Sequence, residues 1–190
     1  MKRGLFFDKD GVLTIDKGVG KNIFEMELYP ASADTIAYFR NLGFQIFVIT
    51  NQPVVARGII SEEKLLAYFE TLKQELLKKN LSSIIDRIYY CPHHPSANLE
   101  KYRIRCECRK PKPGMLISAS REFDIDLTRS YMIGDRITDI VAGSAAGCKT
   151  VQCLTGRHED PLIETDMVFN RGIEPDHRIL NLEELKQIIQ

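Results

Sequence analysis

The chain has 190 residues, 44% hydrophobic and 27% charged, which is enough to build one well-buried core. Its 26 basic and 26 acidic residues cancel, so no broad basic surface indicates binding to nucleic acid or to a membrane. No apolar run approaches the roughly 20 residues that span a bilayer, and the N-terminal apolar run is too short for a signal peptide. We therefore expect a single domain over residues 1–190 in a monomeric, cytoplasmic protein.

Apolar runs of strand length alternate with segments of helical period from end to end. The predicted strands are Gly4–Phe7, Gln45–Thr50, Arg87–Tyr90, Ser130–Ile133 and Lys149–Gln152, with a weaker sixth at Met167–Phe169. The predicted helices cover residues 32–42, 61–79, 114–123, 137–146 and 182–189. Because parallel strands need crossover connections, this alternation predicts an α/β fold with a doubly wound, Rossmann-like parallel sheet covered on both faces.

Polar side chains follow the apolar residues of three predicted strands. Asp8 comes after the first strand, Thr50 ends the second, and Asp135 follows the fourth. In a doubly wound sheet, ligands bind at the carboxyl ends of the strands. We therefore expect these three side chains to converge on one edge of the sheet.

The pair Asp8 and Asp10 suits the cleavage of a phosphate ester, which needs a nucleophile and a proton donor for the leaving oxygen. Gly11 permits the tight turn that follows the pair. Two carboxylates beside a phosphate repel it, so a divalent cation is required, and Asp135 can complete an oxygen-rich magnesium site with Asp8 and a backbone carbonyl. An isolated Asp-x-Asp is also common in solvated turns, so the pair alone does not decide the function.

Four motifs in order resemble those of the haloacid dehalogenase-like phosphatases. They are Asp8-Lys9-Asp10-Gly11, Val48-Ile49-Thr50-Asn51-Gln52, Arg109-Lys110-Pro111-Lys112-Pro113-Gly114 and Gly134-Asp135-Arg136-Ile137-Thr138-Asp139. The resemblance implies that Asp8 attacks phosphorus to form an aspartyl-phosphate and that Asp10 acts as general acid and then as general base. It also implies that Thr50 and Lys110 bind the transferring phosphoryl group. Magnesium would be held by Asp8, Asp135 and the carbonyl of Asp10.

Two assignments within these motifs have competitors. Lys112 competes with Lys110 as the motif lysine, and we favour Lys110 because it directly follows Arg109 after the cysteine pair. Asp139 is a second acid near the metal, for which we expect an outer role or one at a helix N-terminus. A protein of the same fold without activity is the remaining alternative, and no required group is missing here.

A second metal site is predicted by cysteines and histidines between residues 91 and 108. Cys91, one of His93 and His94, Cys106 and Cys108 provide four ligands suited to tetrahedral zinc. With all four positions filled by protein, the zinc would be structural and would fold this loop so that it delivers Arg109 and Lys110 to the site. Cys148 and Cys153 fit no ligand pattern, and we expect them in the core.

The segments between the motifs are too short for an inserted cap domain, so loops must wall the pocket. The motifs together with Ala56-Arg57-Gly58 and Tyr89-Tyr90-Cys91-Pro92-His93-His94-Pro95 closely resemble the D-glycero-D-manno-heptose 1,7-bisphosphate 7-phosphatases. That branch removes the 7-phosphate during the synthesis of nucleotide-activated heptose for lipopolysaccharide, and the resemblance implies His93 as the zinc ligand. It also implies a set of substrate contacts, namely Asp16, Lys17, Gly18, Val19, Asn51, Gln52, Pro53, Arg57, Arg109 and Arg136.

Arg109 is the best candidate to grip a second phosphate, whereas Arg57 has a local salt bridge as its alternative. The rim loops depart from the pattern of the branch at Val12-Leu13-Thr14 and Pro53-Val54-Val55, which leaves the anomer and the substrate open. Histidinol-phosphate phosphatase, of the same branch, is the main alternative to this activity.

Two alternative functions involve nucleic acid. A zinc-stabilised nucleic-acid-binding module is suggested by the basic residues around Tyr102, and an open pocket would also admit a polynucleotide end. The neutral net charge and the absence of a stacking or groove-reading motif oppose the module. We expect a small phosphorylated sugar as the substrate.

Overall fold

The computed structural model describes residues 1–17, 25–157, 159 and 172–189. A sheet of six parallel strands lies at its centre, in the order β3-β2-β1-β4-β5-β6. The strands are β1 Gly4–Phe7, β2 Gln45–Asn51, β3 Arg87–Cys91, β4 Tyr131–Gly134, β5 Lys149–Cys153 and β6 His177–Ile179. This order is that of a doubly wound α/β fold, as the sequence predicted.

Helices connect the strands. They are α1 Ser32–Asn41, α2 Pro53–Ala56, α3 Glu62–Lys79, α4 Gly114–Phe123, α5 Ile137–Ala146 and α6 Leu185–Ile188, with 3-10 turns at Glu100–Tyr102, Leu127–Arg129 and Leu182–Glu184. The Ser61 hydroxyl accepts the backbone N–H of Lys64 and caps α3, as expected for this residue before an acidic first turn. Gly147 ends α5 in the left-handed conformation, with φ at 88°.

The predicted strands and helices agree with the observed ones to within one or two residues, with three exceptions. The predicted strand Met167–Phe169 lies outside the described residues, and the sixth strand of the sheet is His177–Ile179, in which only Ile179 is buried. Its charged, exposed residues hide it from a search for apolar runs. The predicted helix 182–189 begins as a 3-10 turn, and the short helix α2 was not predicted because Pro53 reads as a loop residue.

Alternate residues of β1 enter cores on opposite faces of the sheet. Leu5 and Phe7 pack in the cluster that contains Ile36 and Phe39 of α1. Phe6 packs in the opposite cluster, which contains side chains of α4 and α5, and it stacks on Phe47 with ring centroids 5.1 Å apart. Both faces of the sheet are therefore covered, and for this reason its central strands are continuous apolar runs rather than alternating ones.

The direction of winding reverses between β1 and β4. The chain moves outward from β1 to β2 and β3, and then returns to place β4 on the other side of β1. The backbone N–H of Asp8 donates to the carbonyl of Ile133 at 2.8 Å, so the ends of these two strands lie side by side. A doubly wound sheet opens its ligand crevice at this point.

Among the helices of the described ranges, none combines the length and the apolar character needed to cross a bilayer.

Candidate active site

The ammonium group of Lys110 lies at the centre of the crevice. It lies 2.7 Å from Asp8 Oδ1 and 2.5 Å from Asp139 Oδ1, and it donates to the carbonyl of Ile49 at 2.8 Å. Three acceptors thus match its three protons. All three charged side chains are buried, and the carboxylates of Asp139 and Asp8 raise the pKa of Lys110 against the opposing effect of burial. The lysine therefore stays charged.

Lys110 is held from β2 by a pair of reciprocal hydrogen bonds. The Asn51 amide donates to the carbonyl of Lys110 at 3.0 Å, and its oxygen accepts the backbone N–H of Lys110 at 3.1 Å. Lys112, the competing lysine of the motif, turns to the surface and pairs with Glu107 at 2.6 Å. The structure therefore brings Lys110, and not Lys112, to Asp8.

Three carboxylates converge at the same edge. Oxygen atoms of Asp8, Asp135 and Asp139 lie within 4.8 Å of one another. Burial raises the pKa of Asp8 to about 8, with Lys110 opposing and the other acids adding to the rise, and burial and Asp139 raise that of Asp135 to about 6. When all three are ionised, these carboxylates beside one ammonium carry an excess of negative charge that a cation would neutralise.

Asp135 supplies the observation that tests this site for a metal. Its Oδ1 is buried and has no hydrogen-bond partner, whereas its Oδ2 accepts the backbone N–H of Arg157 at 2.6 Å. A buried carboxylate oxygen without a partner is costly unless a cation binds it. These oxygen ligands are the kind that Mg²⁺ prefers, so the residues fit the ion that the motifs imply.

Asp10 is fixed by three donors. Lys9 and Thr14 contact its Oδ1, the latter at 3.2 Å, and Gln52 Nε2 donates to its Oδ2 at 3.1 Å. Gln52 also donates to the hydroxyl of Thr50 at 2.9 Å and so joins two of the predicted catalytic residues. Burial opposes the effect, but Lys9 and these hydrogen bonds lower the pKa of Asp10.

The second metal cluster lies beside the crevice. The Cys106 and Cys108 sulfurs are 3.2 Å apart, Cys91 lies 3.5 Å from Cys106, and His93 Nδ1 lies 3.5 Å and 3.7 Å from the sulfurs of Cys108 and Cys91. A tetrahedron with zinc–sulfur bonds of about 2.3 Å has edges of about 3.8 Å, so this donor set fits zinc. His94 is turned away, and its Nδ1 accepts the backbone N–H of Ser96 at 3.1 Å.

The loop of residues 91–108, which carries the candidate zinc ligands and is called the zinc loop below, is hydrogen-bonded to α2 and α3. Glu62 at the start of α3 accepts the hydroxyls of Tyr90 at 2.8 Å and Tyr102 at 3.0 Å. The backbone N–H of Leu99 donates to the carbonyl of Ala56 at 3.0 Å. The loop therefore forms one wall of the crevice together with α2.

The predicted substrate contacts that the structure describes lie in several different settings. Asp16 lies 3.9 Å from the Arg157 guanidinium, Lys17 pairs with Glu27 at 3.2 Å, and Gly18 and Val19 lie outside the described residues. Asn51 and Gln52 contact Lys110 and Asp10, as described above. Pro53 begins α2, Arg136 caps α5, and Arg109 Nη1 donates to the carbonyl of His93 at 3.1 Å. The Arg57 guanidinium forms no ion pair with any carboxylate of the described residues.

Sequence reasoning missed two parts of this site. Lys9 was passed over although it lies between the two motif aspartates, and the segment Thr155–Arg157, which contacts Asp135, carries no motif. Asp139 was expected in an outer role or at a helix N-terminus, and its Oδ2 does accept the backbone N–H of Arg136, the N-cap of α5, at 3.0 Å. Its Oδ1 also lies against Lys110, which was not expected. The position of Asp139, three residues after the N-cap of α5, predicts its contact with the backbone of Arg136 but not its contact with Lys110.

Comparison with known proteins agrees with this architecture. A family model described as HAD-hydrolase-like matches residues 107–185. The D-glycero-beta-D-manno-heptose-1,7-bisphosphate 7-phosphatase of Photorhabdus laumondii is 39% identical over 75% of this chain and 74% of its own, and that of Escherichia coli K12 is 37% identical over 87% of both. The crystal structure of the D,D-heptose 1,7-bisphosphate phosphatase of B. bronchiseptica, complexed with magnesium and phosphate, has 27% identity and a TM-score of 0.80 over 98% of this chain and 99% of that one.

The fold and the acidic edge define a phosphatase of the haloacid dehalogenase-like class. The chain belongs to the haloacid dehalogenase-like hydrolases and, within them, to the family of the heptose bisphosphate phosphatases.

Proposed function

We propose that the protein is a magnesium-dependent phosphomonoesterase that removes the 7-phosphate of D-glycero-D-manno-heptose 1,7-bisphosphate through an aspartyl-phosphate on Asp8. The observation that carries this proposal is the contact of 2.7 Å between buried Lys110 and Asp8, beside the unpartnered Oδ1 of Asp135. Phosphoryl transfer requires a nucleophile, here Asp8, a fixed positive charge, here Lys110, and a carboxylate oxygen free to bind the metal ion, here Asp135 Oδ1.

In the first half-reaction an oxygen of Asp8 forms a bond to phosphorus while the bond to the sugar oxygen breaks. Asp10 gives its proton to that departing alkoxide, and then takes a proton from the water that hydrolyses the aspartyl-phosphate. Lys110 and the hydroxyl of Thr50 donate to the phosphoryl oxygens. Asp10 must take up a proton before this step, which its lowered pKa opposes in the free protein and which the negative charge of a bound phosphate favours. The departing alkoxide is a far stronger base than a carboxylate, so the transfer is downhill once the bond between phosphorus and the sugar oxygen lengthens.

Asp8, Asp135 and the carbonyl of Asp10 would hold the magnesium ion. When bound, the ion offsets the charge of the carboxylates and of the phosphoryl group, so that both can occupy one edge. Cys91, His93, Cys106 and Cys108 would hold a structural zinc, whose binding energy would become folding energy of the loop.

The substrate is assigned by family membership and by the charge of the rim. The relatives named above act on heptose 1,7-bisphosphate, and their names specify the beta anomer. A bisphosphate needs a second cationic contact, for which we propose Arg109, which directly follows the zinc loop, Arg57, which directly follows α2, or Arg136 at the N-cap of α5. By the family resemblance, Asp16, Lys17, Gly18, Val19 and Pro53 are proposed as further substrate-binding residues.

A phosphate-release assay with magnesium tests the proposal. The beta and alpha anomers of the heptose bisphosphate, fructose 1,6-bisphosphate and histidinol phosphate should be compared by kcat/KM. We expect the beta heptose compound to lead, and a preference of more than about tenfold for histidinol phosphate, roughly 1.4 kcal/mol, would overturn the substrate assignment. If the Asp8→Asn variant still turns over substrate, the assignment of Asp8 as the nucleophile is wrong. We also propose a single-domain, cytoplasmic monomer that binds no nucleic acid, to be tested by gel filtration and a gel shift.

A further inference from the structure

We propose that the segment Thr155–Arg157, which follows β5, is a positioning element for the magnesium ligands of the proposed site, holding Asp135 with one oxygen anchored and the other directed to the ion. This inference rests on the proposed function. It concerns residues that no sequence motif marks.

The first observation is that the two oxygens of Asp135 have different hydrogen-bonding environments. Oδ2 accepts the backbone N–H of Arg157 at 2.6 Å, whereas Oδ1 is buried without a partner. A backbone donor cannot swing away as a side chain does, so it fixes the rotation of the carboxylate. Such anchored ligands hold a metal more tightly than free ones, because less freedom is lost on binding.

The second observation is the close approach of two glycines to the same oxygen. A Cβ atom at Gly156 would lie 2.3 Å from Asp135 Oδ2 and 2.6 Å from the Cα of Gly11, and a Cβ at Gly11 would lie 2.4 Å from that same oxygen. The Asp135 carboxylate is therefore enclosed between the turn after Asp10 and the segment Thr155–Arg157. Any side chain at position 156 must displace it.

The third observation ties this segment to the other ligands. The Thr155 hydroxyl donates to the carbonyl of Gly11 at 2.6 Å, next to the Asp10 carbonyl that the proposed site uses. The Tyr29 hydroxyl in turn donates to the carbonyl of Thr155 at 2.8 Å, and Leu154 N–H donates to the carbonyl of Ile179 at 2.8 Å. One short segment thus fixes both the Asp135 side chain and the turn that carries Asp10, and it is itself held from both sides.

Two substitutions test the proposal, each with a conservative partner or control. Gly156→Ala displaces Asp135, and Thr155→Val removes the hydrogen bond to Gly11 while keeping the shape, whereas Thr155→Ser keeps the hydroxyl. Gly147→Ala is the control, because this glycine has φ at 88° and no atom within 4 Å of an added Cβ, so it loses backbone stability away from the site. Asp135→Asn serves as the reference for a damaged metal site.

Each variant should be freed of magnesium by desalting and titrated with MgCl₂ alone. Two quantities are read, namely the Mg²⁺ concentration for half-maximal phosphate release and the midpoint of the Mg²⁺-induced rise in Tm. We expect both to increase at least about tenfold in Gly156→Ala and about threefold or more in Thr155→Val, and to stay at the wild-type values in Thr155→Ser and Gly147→Ala.

If Thr155→Val and Gly156→Ala lower Tm but keep the wild-type Mg²⁺ midpoints while Asp135→Asn shifts them, the segment has only a structural role and the inference is wrong. If Asp135→Asn also leaves them unchanged, the proposed magnesium site fails and the inference fails with it. Should Gly156→Ala not fold, the comparison of Thr155→Val with Thr155→Ser decides the question.

Discussion

The side-chain amide of Asn51 holds the backbone of Lys110 and not its side chain. It donates to the carbonyl of Lys110 at 3.0 Å and accepts the backbone N–H of Lys110 at 3.1 Å. The nitrogen and the oxygen of the Asn51 side-chain amide each make one of these bonds, although the family resemblance implies a substrate contact there. The pair joins the end of β2 to the segment after the zinc loop, and so sets where the Lys110 ammonium meets Asp8. We therefore expect Asn51 to act as a positioning residue for Lys110.

Replacing Asn51 should slow the reaction more than it weakens substrate binding. We expect Asn51→Ala to lower kcat about 10- to 100-fold with KM within about threefold of wild type, because a small displacement of Lys110 is felt mostly in the transition state. Steady-state kinetics at saturating magnesium measures both constants. Asn80→Ala is the matched control, because it removes two exposed hydrogen bonds, one donated to Asp34 and one accepted from the backbone N–H of Ser82. A raised KM with unchanged kcat would show that Asn51 contacts the substrate instead.

The two lysines of the third motif should behave very differently. We expect Lys110→Met to lower kcat about 10²- to 10³-fold, because it removes a buried cation that would neutralise the transferring phosphoryl group. Lys112 is a third exposed and pairs with Glu107, so Lys112→Met should keep activity within about twofold of wild type, given how little surface ion pairs contribute. Initial rates of the two purified variants make the comparison, and equal losses would contradict the assignment of Lys110.

The sequence predicted the sheet well for a physical reason. Its central strands are buried on both faces, so Leu5-Phe6-Phe7 and Ile46-Phe47-Val48-Ile49 stand out as apolar runs bounded by polar residues. The edge strand His177–Ile179 buries one residue and was missed because it gives no such signal. The apolar pattern of a strand follows from the burial of its side chains, and an edge strand buries few of them.

The candidate site shows the same limit. Asp8, Thr50 and Asp135 were predicted to meet because strand order and strand ends follow from the alternation of elements, and the structure places them at one edge. Contacts made by backbone atoms were beyond sequence reasoning, since the N–H of Arg157 on Asp135 depends on the path of a loop and not on the type of residue. The roles of these residues in catalysis stay predictions.

Breaking the proposed zinc site should damage both folding and catalysis. Cys106→Ser removes a sulfur that lies 3.2 Å and 3.5 Å from two other sulfurs, and we expect it to lose the equivalent of zinc that we propose for the wild type. Arg109 and Lys110 follow the loop directly, so kcat/KM should fall about tenfold or more, in line with the effect of losing a structural metal contact. Metal analysis, Tm and kinetics measure the three effects.

Cys148 provides the control, because it is a buried core cysteine outside the cluster. Cys148→Ala should keep the full zinc content and most of the activity, with at most a modest loss of Tm. If wild-type protein purified without chelators contains no zinc, the cluster is a set of free thiols and the structural account of the loop is wrong.

The stability of the protein without magnesium should fall as the pH rises toward 8. Burial raises the pKa of Asp8 to about 8 and that of Asp135 to about 6, whereas an unfolded chain has a pKa near 3.8 for both. Between these values the folded protein binds more protons than the unfolded chain, so the free energy of unfolding decreases with pH by at most about 1.4 kcal/mol per pH unit for each group. The contribution is intact below pH 4 and lost above the folded-state pKa values.

Magnesium should reverse this trend, because it replaces the protons that the carboxylates lose. Tm of desalted protein, measured from pH 5 to 8 with and without MgCl₂, should show a stabilisation by the ion that grows with pH. Asp8→Asn cannot ionise at this position, so its Tm without magnesium should fall less steeply with pH than that of wild type. Equal slopes in the two proteins would mean that Asp8 is already ionised at pH 5 in the folded state, and that Lys110 alone compensates its burial.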